Sequence, residues 1–306
     1  MNWVALGGAL ETGWLYGLVG LGVYLSFRVL NFPDLTVDGS FALGGAIAAT
    51  LIVNDLHPML ATAIAGLAGA GAGLCTAWLH VQLKILHLLA SILTMTALYS
   101  INLRIMGRPN VPLLGEATLL TTLTSVLQRL PPWLGTSLVL LVIVFLFKIG
   151  VDWFLSSELG LAMRATGANP EMAKAQGIST GNLILLGMAL SNSLVAVAGA
   201  LFAQINGFAD VTMGIGTIVF GLAAVIMGET LLPGLTVATA TLGALIGSVV
   251  YRIAVAIALN ADFIGLQAQD LNLVTAVLVA LALVLPASRH PLQLLFNRRI
   301  RKTNRP

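Results

Sequence analysis

The sequence predicts an all-α polytopic membrane protein with about nine transmembrane helices (8–10). Three observations carry that: an apolar composition, a series of charge-poor windows of bilayer length, and two similar glycine-interrupted segments at equivalent positions. Of the 306 residues, 58% are hydrophobic and only 9% charged, where a soluble domain has about a quarter charged residues. A helix needs ~20 mainly apolar residues to cross the hydrocarbon core. Such windows lie near residues 10–30, 38–54, 59–82, 88–106, 133–151, 183–205, 212–228, 235–258 and 270–286. The loops between them are too short for a folded soluble domain. No basic residue precedes the first apolar run and no A-x-A-like site follows it, which argues against a cleaved signal peptide. The lone cysteine, Cys75, excludes an internal disulfide and is expected to pack as a small residue in a Gly/Ala-rich helix.

Orientation follows from the basic residues. Arg289, Arg298, Arg299, Arg301, Lys302 and Arg305 crowd the C-terminus with no acid after Asp270, so the positive-inside rule places that end in the cytoplasm. Counting back over nine helices puts residues 152–182 on the same side and the N-terminus outside. The basic pI of about 9.3 reflects this tail. With no aromatic-interleaved basic patch, a nucleic-acid partner is not expected.

The third observation is an internal repeat. "NFPD" at 31–34 and "NGFAD" at 206–210 align Asp34 with Asp210, Thr36 with Thr212, Gly45 with Gly221 and Ala48 with Ala224, at an offset of 176 residues. Each copy opens a segment interrupted by glycine, the sequence signature of discontinuous helices at a transport site. The copies span about 10–106 and 183–286. The helix at 133–151 joins them and, being odd, inverts the second; 156–182 forms a cytoplasmic loop and 287–306 a basic tail, all within one transmembrane domain.

Asp34 and Asp38 are costly at bilayer depth, where a carboxylate raises the insertion free energy by about 2.5–3.5 kcal/mol. Two readings stand. They line a pathway with Thr36, Ser40, Thr212, Gly214 and Thr217, or they cap the helix that follows, where asparagine would serve nearly as well. Gly13 with Gly17, Gly69 with Gly73, and Gly243 with Gly247 form small-xxx-small pairs suited to close helix crossings.

The loop "SSELGLAMRATGANPEMAKAQGISTGN", residues 156–182, is the most informative. Asn169 suits an N-cap, Pro170 the first helical position, Glu171 the first turn, and Gly177 a left-handed C-terminus. They predict a helix over 169–177 outside the membrane, with Ala165, Ala168, Ala173 and Ala175 as a small-residue face. A helix so short is marginal alone, so it is expected to dock onto a protein surface.

"GLAMRATGANPEMAKAQGIS" resembles the coupling-helix segment of ATP-binding-cassette importer permeases of the branched-chain amino acid and ribose type. "FPDLTVDGSFALGGAIAA" resembles the broken second helix of that superfamily, and "ADVTMGIGTIVFGLAAVIMGETLLPG" its segment after the coupling region. The form "NFPDLTVDGS" is most similar to permeases paired with binding proteins of the tryptophan and tyrosine type. The sugar permeases carry an additional N-terminal helix that this chain lacks. The resemblance implies ATPase contacts through Glu158, Arg164, Ala165, Gly167, Asn169, Pro170, Glu171, Ala173 and Gly177. It also implies ATP-binding-cassette ATPase subunits and an extracytoplasmic substrate-binding protein as partners in a bacterial inner membrane. Because one coupling helix engages one ATPase and such ATPases work in pairs, a second permease copy is expected.

No G-x-x-x-x-G-K-[ST] loop occurs, so ATP and Mg belong on the partner ATPase and this chain is expected to bind no cofactor. "GISTG" at 177–181 matches a nucleophile pattern, but no strand precedes it and the four histidines lie far off in sequence, so neither an enzyme nor a metal site is expected. The competing reading is an ion-coupled secondary transporter using Asp34, Asp38 or Asp210. Without charge clusters inside the membrane, a small neutral or zwitterionic solute is favoured, and an amino acid, possibly aromatic, only by the resemblance.

Overall fold

The computed structural model describes residues 3–119, 121, 132–233 and 236–259, with 276, 277 and 280. The expected span at 270–286 lies almost wholly outside the described residues, and the basic tail entirely so. In chain order the elements are α1 (Trp3–Val23), running into a π-helical turn at Tyr24–Val29, α2 (Thr36–Val53), α3 (Pro58–Val81), α4 (His87–Met106), the short strand β1 (Asn110–Pro112) and α5 (Pro132–Ser156). There follow α6 (Glu158–Ala168), α7 (Pro170–Ala175), α8 (Thr180–Asn206), β2 (Phe208–Asp210), α9 (Thr217–Leu231) and α10 (Val237–Leu259).

Six of these helices are long and apolar enough to cross a membrane: α2, α3, α4, α8 and most of α5 and α10. The chain is thus a mainly helical, multi-pass membrane protein. The apolar window at 212–228 forms a different structure from the one expected. Residues 211–216 make turns, and α9 has 15 residues, about 22 Å against ~30 Å of hydrocarbon. The sequence showed no strand, yet β1 and β2 pair antiparallel, Asn110 facing Asp210 and Pro112 facing Phe208. They tie the end of α4 to the end of α8.

Local chemistry sets the breaks. Asn31 adopts φ 53°, a left-handed conformation that asparagine tolerates better than most residues, and Pro33 follows in sequence. Together they end the first helix and start an extended segment. At the start of α3, the His57 ring nitrogen accepts from the Met59 N–H at 3.3 Å, with Pro58 at the first helical position.

Close crossings fix the directions. Ser40 meets Asn192, Gly44 meets Ala196 and Ala48 clusters with Ala200, so α2 runs parallel to α8. Asn192 is the thirteenth of the 27 residues of α8, so α2 begins beside the middle of α8. On the other side, Phe220 packs on Tyr16, with ring centroids 5.1 Å apart, and Glu229 pairs with Arg28. Helix α9 therefore runs parallel to the second half of α1, toward the end opposite to that reached by α2. The small-residue pairs fall at such crossings: Gly13 and Gly17 against α10, Gly69 and Gly73 against α8, Gly243 and Gly247 against α9. Cys75 differs from expectation, being exposed on α3.

A Cβ at Gly199 would meet the Phe41 carbonyl of α2, whereas one at Gly71 would meet nothing. Gly199→Val is expected to destabilise the fold by about 1–3 kcal/mol through overpacking. Gly71→Ala is expected to be neutral or to stabilise by up to about 1 kcal/mol. Thermal unfolding in detergent compares the two.

Candidate functional site

Two helix N-termini meet in the middle of the bundle, and one carboxylate joins them. Asp38 sits in the first turn of α2. Its Oδ2 accepts the Gly216 N–H at 3.0 Å and its Oδ1 accepts the Ile218 N–H at 2.8 Å. The first N–H groups of a helix have no partner within it and carry its positive end. Gly216, the residue before α9, supplies no side-chain cap and takes φ 85°, so Asp38 caps α9 from 178 residues away in sequence. The approach requires glycine at 214, where a Cβ would strike the Asp38 carbonyl oxygen. Asparagine would not serve equally here, since both carboxylate oxygens accept and an amide would turn an NH₂ against an N–H.

Asp34 belongs to a second, fully enclosed set of contacts. It is 2% exposed; its Oδ1 accepts the Thr36 N–H at 2.8 Å and its Oδ2 accepts the Asn192 amide at 2.7 Å. Asn192 in turn accepts the Ser40 hydroxyl at 2.7 Å and donates to the Met188 carbonyl at 3.1 Å. The Thr36 and Thr76 hydroxyls bond each other at 2.7 Å. Helices α2, α3 and α8 are thereby linked through polar groups that would be expensive if left unmade.

The aligned aspartate repeats the local motif. Asp210 Oδ1 accepts the Thr212 N–H at 2.8 Å, as Asp34 does for Thr36. Its surroundings differ: partial burial pushes the Asp210 carboxyl up, but hydrogen bonds from the Thr212 hydroxyl and backbone and from Asn110 outweigh it and hold the group below the usual carboxylate range. Of the residues read as pathway candidates, Asp34, Thr36, Ser40, Gly214 and Thr217 are buried, Asp38 is half-buried and Thr212 is exposed. The Thr217 hydroxyl is buried without a partner.

The loop between α5 and α8 folds as two helices. Ser157 caps α6, accepting the Gly160 N–H at 3.3 Å, and Asn169 caps α7, accepting the Met172 N–H at 3.0 Å. Pro170 occupies the first turn and Gly177 takes φ 81°, both as the sequence requires. Gly167 packs against the Val29 carbonyl at the π-helical turn, which fixes α6 to the first helix. Glu158, Arg164, Asn169, Pro170, Glu171 and Gly177 are exposed, and Ala165 is half-buried. The small-residue face does not form as expected: Ala173 is 2% exposed, within its own chain, whereas the outward apolar group is Met172 at 60%. Glu171 pairs with Lys174 at 3.1 Å.

Sequence reasoning missed Asn192, Thr76 and Arg252. Asn192 and Thr76 are single polar residues in apolar helices; their occurrence inside predicted spans was the available signal. Arg252 lies in the window 235–258, and its guanidinium stands over Tyr16 and Phe220 at 4.3 and 4.7 Å from the ring centroids.

The paired aspartates give a direct contrast. Asp38→Asn is expected to cost about 1–3 kcal/mol of stability by leaving an N–H of α9 without an acceptor. Asp210→Asn keeps the Oδ1 that accepts from Thr212 and loses only the long, exposed contact from Asn110 at 3.5 Å, and is expected to cost less than about 1 kcal/mol. Equal shifts in unfolding temperature would contradict the capping role of Asp38.

Comparison with known proteins identifies the family. Residues 6–286 match the family described as branched-chain amino acid transport system / permease component. The chain is 39% identical to the tyrosine transport system permease protein of Clostridioides difficile over 87% of its own length and 85% of the relative's. It is 28% identical to the ribose import permease of Haemophilus influenzae over 66% and 61% of the two chains. It is also 28% identical to a probable branched-chain amino acid transport permease of Methanocaldococcus jannaschii, over 64% of each. No solved structure matches. The chain belongs to the branched-chain amino acid transport permease family and is the membrane-spanning permease subunit of an ATP-binding-cassette importer for small solutes.

Proposed function

We propose that this permease imports an amino acid, of the aromatic class carried by its tyrosine-transporting relative, and that two copies form the pathway. The segment α6–α7 is the coupling element. The observation that carries this is the capped helix α7, which presents Met172, Glu171 and Lys174 outward while Ala173 anchors it to its own chain. Each copy would seat one α7 on one ATP-binding-cassette ATPase, where ATP and Mg are handled, and an extracytoplasmic binding protein would deliver the solute. On this reading the end of the molecule holding Arg28, Glu229 and α7 faces the cytoplasm of a bacterial cell, the protein lying in the inner membrane. The end holding the β1–β2 pair faces outward. The nine-span inverted repeat remains part of this proposal, supported by the equivalent turns at Asp34 and Asp210 and by the opposed directions of α2 and α9.

Since Ala173 is packed inside, an arginine there would perturb folding as well as docking. Met172→Glu isolates docking, because an exposed substitution changes stability by no more than about 0.5 kcal/mol. The variant is expected to insert and unfold like the wild type while losing co-purification with the ATPase and solute-stimulated hydrolysis. The wild-type assembly should contain two permeases and two ATPases by native mass. Normal coupling in Met172→Glu, or a one-to-one mass, would count against the reading.

A further inference from the structure

Arg252 is the sixteenth of the 23 residues of α10, yet its side chain reaches back toward the middle of the bundle. Long basic side chains in membrane helices usually snorkel toward the nearer surface. This guanidinium instead lies over Tyr16, whose own ring stacks on Phe41 at 5.9 Å, and over Phe220, which packs on Tyr251 at 5.9 Å. The aromatic faces stabilise the cation, and the Tyr16 hydroxyl, a neutral group, accepts a hydrogen bond from it. The Nε is buried with no acceptor. Ion pairs among the described residues join Arg28 to Glu229, Lys148 to Asp152 and Lys174 to Glu171, and none involves Arg252. The Asp38 carboxylate is engaged with N–H groups at the start of α9.

Among the described residues no carboxylate forms an ion pair with this cation, which leaves it able to take an anionic partner that comes and goes. We infer that Arg252 binds the α-carboxylate of the solute in transit, its fork making the bidentate contact that guanidinium and carboxylate geometry favours. This rests on the amino-acid reading above.

The test uses the full complex of permease, ATPase and binding protein in proteoliposomes, with L-tyrosine as the solute. Arg252→Met retains a long side chain over the rings without charge. It is expected to lower uptake roughly tenfold, the loss typical of a hydrogen bond to a charged group, while the complex assembles and the loaded binding protein still stimulates hydrolysis. Arg252→Lys should be intermediate, keeping the charge without the fork. In the permease–ATPase complex alone, bound labelled L-tyrosine should be displaced by unlabelled L-tyrosine and not by tyramine, which lacks the carboxylate. Wild-type uptake by Arg252→Met, or equal displacement by tyramine, would overturn the assignment while leaving amino-acid import intact. If the wild-type complex imports no amino acid, the cargo reading itself fails and the carboxylate site with it.

Discussion

The bundle depends on one interaction, the bond from the Asp38 carboxylate to the N-terminus of α9. Two helices that start in the interior of the bundle each present N–H groups that have no partner within the helix, and such groups are expensive when buried unpaired. At α2 the Asp34 carboxylate, one residue before the helix-capping position, takes the Thr36 N–H. At α9, Gly216 has no side chain to offer, and the carboxylate comes from α2 instead. Each half-helix is thereby positioned by the other. A negative charge between two positive helix ends is favoured by both dipoles.

Much of the surrounding architecture serves this junction. Glycine at 214 lets the backbone pass beside Asp38, and Gly44 and Gly199 let α2 and α8 approach closely enough for Ser40, Asn192 and Asp34 to bond one another. With α2 and α9 running in opposite directions, the two ends of the protein differ. One end carries the strand pair, the other the Arg28–Glu229 pair and the capped helices α6 and α7. Because Gly167 packs against the end of the first helix, a displacement of α6 would reach the segment that leads to Asp34. In the proposed coupling role of α6–α7, that contact would be the physical route from an ATPase to the interior of the bundle.

Whatever depends on local chemistry was legible in the sequence. Bilayer-length windows gave α2, α3, α4, α8 and α10 to within a few residues, since apolar length alone decides a span. Asn169, Pro170 and Gly177 act as caps and breaks do in any helix, and the aligned aspartates share one turn because Asp-x-Thr forms it without outside help. What required the third dimension was not legible. Asp38 looked like a local cap that asparagine could replace, because nothing in "TVDGS" reports a helix 178 residues onward. Ala173 looked like a docking surface because a small residue on a short helix fits either side of it. Arg252 was passed over as a single charge in a long apolar window, although at that position a single charge is itself the signal.

The central claim, that Asp38 secures the start of α9 from another helix, is tested most directly by amide hydrogen exchange in detergent on the wild type and Asp38→Ala. Peptides covering Gly216 and Ile218 should be protected in the wild type and should exchange much faster in the variant, while peptides from the middle of α8 keep their protection. Unchanged protection at Gly216 and Ile218 in a folded Asp38→Ala protein would contradict the account.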